Sequence, residues 1–208
     1  MAFFDALKDK LITRRKVCAG LRRLGLGAIV VKRGCPEENI GEEGWVLGKD
    51  EKSLGLIEVR DSPIRWVNVL DIVQGKGTQG ESVVHRNVYL IPDSMVSSKG
   101  GYMLAKSVRV RSTPLIGRVV DIRWEGGKSH GNLMRRMSDD ILINRSLVRL
   151  KEDITIRGFP EYSCWAILSS RSSVGGFPWG FFGRPAPSRE QWSCYETIAH
   201  HLLESDRK

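Results

Sequence analysis

The sequence predicts a strand-rich α+β fold: a mostly antiparallel body with an N-terminal amphipathic helix, a mid-chain helix and a C-terminal helix. Two observations carry this reading. Short apolar runs with partial period-two alternation recur from residue 45 to residue 124, separated by turns rich in Gly, Pro and Ser. Helical apolar spacing is strongest near the two ends, at 2–16 and 188–204. A share of 41% apolar residues and six Trp supply enough large side chains for a core.

In residues 2–16, Phe3, Phe4, Leu7, Leu11 and Ile12 follow the i, i+4, i+8 spacing of one helix face. Gly25 and Gly27 then loosen the chain before a buried strand at 28–32. Residues 34–44 are acidic and turn-like. Strands are expected at 45–47, 54–60 and 64–73, the last two covered on part of both faces because neither alternates cleanly. A Gly-rich turn at 74–80 returns the chain as a strand at 82–91, so 64–91 reads as a hairpin.

Ser and Gly cluster at 92–101, the best candidate break. It would divide a 34–208 domain into lobes 34–99 and 100–208, after a basic helix and arm at 1–33. Strands follow at 105–111 and 116–124, and a helix is expected to start with Ser138 as its N-cap, ahead of Asp139 and Asp140. Segments 154–157 and 165–168 read as paired strands around a turn at 158–162. The last helix has the clearest signature. Ser188 and Gln191 have capping-box spacing, and Trp192, Tyr195, Ile198, Ala199, Leu202 and Leu203 share one face.

The net charge of +9 is unevenly placed. Residues 1–33 carry +7, residues 34–99 carry −4 and residues 100–208 carry +6. A basic arm attracts an anionic partner, nucleic acid or a membrane surface; the plainer alternative is that the basic ends meet the acidic middle within one chain or between copies. The N-terminus lacks the long apolar stretch of a signal peptide, and Asp5 and Asp9 interrupt it, so a cytoplasmic protein, peripheral to a membrane at most, is expected. No apolar run reaches the ~20 residues of a spanning helix.

No motif assigns an activity. Residues 126–129 (Gly-Gly-Lys-Ser) follow a strand, but the earlier Gly of a phosphate-binding loop is replaced by Ile122, so a hairpin turn is expected. Residues 75–80 are followed by a strand rather than a helix, which removes the helix-end dipole from any phosphate site. The four cysteines form no C-x-x-C pair, and Cys164 sits in an apolar run as a buried thiol. Cys194 lies too far along its helix from His200 for direct contact. His200 and His201 point about 100° apart on a helix and do not share a metal. No carboxylate–His pairing is visible locally, although such partners can be distant in sequence.

The most unusual segment is 171–187, where Phe177, Trp179, Phe181 and Phe182 stand among glycines and prolines, flanked by Arg171 and Arg184. Aromatics with Arg suit base stacking, a lipid interface or a protein groove; equally, such a loop can close over its own core. The combined reading is a non-enzymatic binding or assembly module. Lys8, Lys10, Arg14, Arg15, Lys16, Arg22 and Arg23 would meet the anionic partner, and the aromatic loop would add contact area. The rival readings are a small enzyme with a site assembled from distant residues, and a self-assembling structural protein forming homo-oligomers. No cofactor, metal or small-molecule ligand is called for.

Overall fold

A computed structural model describes residues 2–32, 51–77, 80–96, 104–113, 117–127, 131–169, 173–175 and 186–204. Within these, only the backbone is described at 2–12, 73–77, 80–84, 104 and 173–175. The chain forms an α+β protein, and every strand pairing of described register is antiparallel. It divides into two compact units. One comprises 1–88 with 172–187, and the other 89–171 with 188–208.

The first unit begins with helix α1 (Ala2–Arg23), longer than the 2–16 expected. The apolar stripe continues through Val17, Cys18 and Leu21, all buried, and that burial carries the helix past Lys16. Its end is fixed by Gly25, whose φ of 92° lies in the left-handed region. Gly25 N–H donates to Arg22 C=O at 2.9 Å and Leu26 N–H to Leu21 C=O at 3.3 Å, the bond pair of a Schellman C-cap. Strand β1 (Gly27–Val30) then pairs with β2 (Glu51–Arg60), and β2 pairs with β3 (Trp66–Gly77). β4 (Gly80–Pro92) follows beside β3, and β9 (Ser173–Gly175) adds to the 83–85 stretch of β4. The strand ends at Gly77 and Gly80 make the turn shorter than the expected 74–80. In β2, residues 54–57 are all buried, which is the partial covering of both faces that weak alternation predicted. The expected strand at 45–47 lies outside the described residues.

The second unit orders its strands β4-β8-β7-β5-β6, where β5 is Leu104–Arg111, β6 Val119–Gly126, β7 Ile154–Phe159 and β8 Cys164–Ser169. β7 and β8 are the expected pair, with a 3₁₀ turn over Pro160–Tyr162 between them. Every residue of β8 is buried, so both of its faces are covered. The mid-chain helix differs from expectation. There are two helices, α2 (Gly131–Asp139) and α3 (Ile141–Leu150), and the N-cap of α3 is Asp140, not Ser138. The Asp140 carboxylate accepts from the N–H groups of both Leu142 (2.8 Å) and Ile143 (3.0 Å). Ser138 instead lies inside α2, its hydroxyl donating to Met134 C=O. Burial of Leu133, Met134 and Met137 makes α2 amphipathic despite Gly131 and Asn132 at its start. Helix α4 (Arg189–Glu204) is the expected last helix, with Trp192, Tyr195, Ile198, Ala199 and Leu202 buried. Its capping box is formed: Gln191 N–H donates to Ser188 Oγ at 3.2 Å, and Ser188 N–H to Gln191 Oε1 at 2.7 Å. No helix among the described residues is long and apolar enough to cross a membrane.

Candidate functional site

Docking of α1 sorts its cations. Arg14 faces inward and is buried at 4% exposure, its guanidinium lying over Gly55 of β2. A Cβ on Gly55 would meet Arg14 Nη1 at 2.1 Å, and the residue has φ 109°, so only glycine serves there. Arg15, Lys16, Arg22 and Arg23 are exposed. Seven residues turn a helix to within about 20° of two full turns, so Arg15 stands in line with Arg22, and Lys16 with Arg23. These two rows run side by side along the solvent face. Arg22 Nε donates to Ala28 C=O at 2.7 Å and Arg23 Nε to Ala19 C=O at 3.4 Å. No carboxylate is paired with any of the four among the described residues. Lys8 and Lys10 lie on the same helix, with side chains outside the described residues. Arg171, Phe177, Trp179, Phe181, Phe182 and Arg184 also lie outside them, as do Cys35, Lys128 and His130.

Among the described residues, two carboxylate–His pairs form that no local pattern announced. In the first unit, His85 Nδ1 on β4 lies 2.6 Å from Asp71 Oδ1 on β3. Asp71 is buried at 8% exposure and His85 is half-buried. One signal was present in the sequence, an acid between Leu70 and Ile72 in a strand. Burying such a carboxylate is costly without a partner. In the second unit, His201 Nε2 lies 2.8 Å from Asp140 Oδ2. Asp140 is already the N-cap of α3. Burial pushes its carboxyl up, but hydrogen bonds from His201 and from the Ile143 and Leu142 amides outweigh burial and hold it below its ordinary value.

No family model, curated protein or solved structure matches the chain.

The three thiols among the described residues are poor nucleophiles. Burial drives Cys164 and Cys194 up to about 12, with nearby Glu152, Asp140 and Glu190 adding to the effect at Cys194. Burial also raises Cys18. Among the described residues, no group of three His, Cys, Asp or Glu could hold a metal ion. A cleft of about 220 Å³ on the second unit is lined by Val120, Asp121, Asn144, Arg145, Val148 and Arg149, a set with no thiol, hydroxyl or imidazole. The most developed polar cluster there is internal. Glu152, fully buried, accepts from Tyr195 Oη at 2.7 Å and from Gln191 Nε2.

Proposed function

We propose that the protein is a binding module that attaches to a polyanion, with nucleic acid the preferred form, through the solvent face of α1. The observation that carries this is the paired rows Arg15/Arg22 and Lys16/Arg23, exposed and without carboxylate partners among the described residues. At ~1.5 Å per residue each row spans ~10 Å, about three nucleotide steps at ~3.4 Å along one strand. Val17, Cys18 and Leu21 are committed to the core of the first unit, so this part of the helix has no apolar face left to insert into a bilayer. Attachment here is therefore electrostatic, and it carries no base specificity by itself.

The test is fluorescence anisotropy with labelled duplex DNA over a salt series. Four phosphate contacts predict a log K against log salt slope of about −3 to −4. The triple variant Arg15→Gln, Lys16→Gln, Arg23→Gln spares the Arg22 bond to Ala28 and should flatten the slope by about 3. An unchanged slope would remove this face from the reading. Salt-resistant sedimentation with anionic vesicles and no DNA binding would replace nucleic acid by a membrane surface.

A further inference from the structure

The cleft of the second unit carries two opposite charges that do not meet each other. Its strand side is Val120 and Asp121 of β6, and its helix side is Asn144, Arg145, Val148 and Arg149 of α3. Residues three and four apart are neighbours on a helix surface, so these four form one wall, while Ile143, Leu147 and Leu150 turn into the core. Arg149 is bonded to Glu190 of α4, which compensates its charge. Arg145 is exposed and has no ion-pair or hydrogen-bond partner among the described residues. Asp121 is exposed as well and accepts one bond, from its neighbour Ile122 N–H at 2.8 Å.

Two further observations mark the cleft as a site rather than a gap in packing. Val110 pairs with Asp121 but Arg111 with Val119, so Val120 is the extra residue of a β-bulge. Bulges re-aim a side chain, and Val120 is left 58% exposed at the cleft. On the opposite wall, Asn144 Nδ2 donates to Ser138 C=O at 2.5 Å. A carbonyl only accepts, so this bond fixes which way round the amide sits. Asn144 Oδ1 is then a buried acceptor without a partner, a group that calls for a donor.

We infer that this cleft binds a free α-amino acid with an aliphatic side chain. The ligand carboxylate meets Arg145, its ammonium meets Asp121 and Asn144 Oδ1, and its side chain lies between Val120 and Val148. The charge pattern selects a zwitterion: Asp121 repels an anion, Arg145 repels a cation, and a molecule bearing both charges satisfies each. The valines supply the apolar surface that a side chain covers. A volume of about 220 Å³ is below the ~300–1,000 Å³ of sites for drug-sized molecules and suits a smaller ligand. The site lies in the second unit and shares no residue with the cationic face of α1.

The experiment is a ¹H–¹⁵N correlation titration of the full chain with L-leucine. Saturable shifts are expected at Val120, Val148 and the Asn144 side-chain amide, with a Kd on the order of 1 mM or tighter. Arg145→Gln and Asp121→Asn are exposed changes, and the new Asn keeps an acceptor for Ile122 N–H, so both variants should melt with the parent. Each should weaken leucine binding about 3-fold to 10-fold, the scale of one charged contact at a half-exposed site. Truncated ligands then tell which end meets which residue. 4-Methylpentanoate, which is leucine without its ammonium, should be weakened by Arg145→Gln and indifferent to Asp121→Asn. 3-Methylbutylamine, which lacks the carboxylate, should show the reverse. No saturable shift by about 10 mM leucine, or shifts centred away from the cleft, would overturn the site. Equal binding of end-blocked N-acetyl-leucine amide, or the same response of both truncated ligands to both variants, would overturn the zwitterion.

Discussion

Glu152 is a fully buried carboxylate whose oxygens accept from Tyr195 and Gln191. Tyr195 is itself raised well above an ordinary phenol, first by burial and then by Tyr89 and Glu152 nearby. Removing the acceptor strands one buried donor, Tyr195 Oη, and one half-buried donor, Gln191 Nε2. Glu152→Ala should therefore destabilise by about 3–5 kcal/mol in chemical denaturation, whereas Glu152→Gln, which keeps an acceptor, should cost less than half of that. Asp140 offers a pH-dependent case. Its folded value is depressed, so its stabilising contribution is present above the unfolded carboxylate value of ~3.9 and is lost as pH falls through the lower folded value. The stability advantage of the parent over Asp140→Asn should be seen at pH 7 and vanish in strong acid. Asp140→Ala, which removes the cap altogether, should cost about 1 kcal/mol at neutral pH.

Among the elements, α1 shows how a close approach overrides propensity. Gly→Ala inside an exposed helix gains about 1 kcal/mol. At Gly20, however, a Cβ would lie 2.1 Å from the Cβ of Ala186. Gly20→Ala is therefore expected to lower stability by about 1–3 kcal/mol, and the double variant with Ala186→Gly to recover much of it, as read from melting and denaturant midpoints. Strand β6 illustrates a guarded edge. It pairs with β5, and its other edge is blunted where Asp121 Oδ1 accepts from Ile122 N–H at 2.8 Å and Ser138 Oγ from Trp124 N–H at 3.4 Å. Those bonds occupy backbone groups that would otherwise recruit another strand. The Ser138 hydroxyl that resembled an N-cap in sequence serves this edge instead.

At the scale of the whole molecule, each unit is assembled from two separate stretches of chain. The first needs 172–187, which brings β9 to β4 and Ala186 to Gly20. Residues 1–88 produced alone should consequently show weaker protection in hydrogen exchange than the same residues in the full chain. Protection equal to that of the intact protein would show that the returning segment contributes nothing to the unit's stability.

Sequence alone determined the local structure. Apolar spacing located most strands and both terminal helices, and Ser188 with Gln191 announced the capping box that α4 forms. Each of these rests on interactions within a few residues, which propensity and periodicity encode directly. The tertiary structure decided which cations on α1 are available, because the fold buries Arg14 and leaves Arg15, Lys16, Arg22 and Arg23 in solvent. It also decided that Asp71 meets His85 and that Asp140 meets His201. Such contacts depend on strand register and helix packing, which are fixed by contacts across the fold rather than by the residues that flank each one.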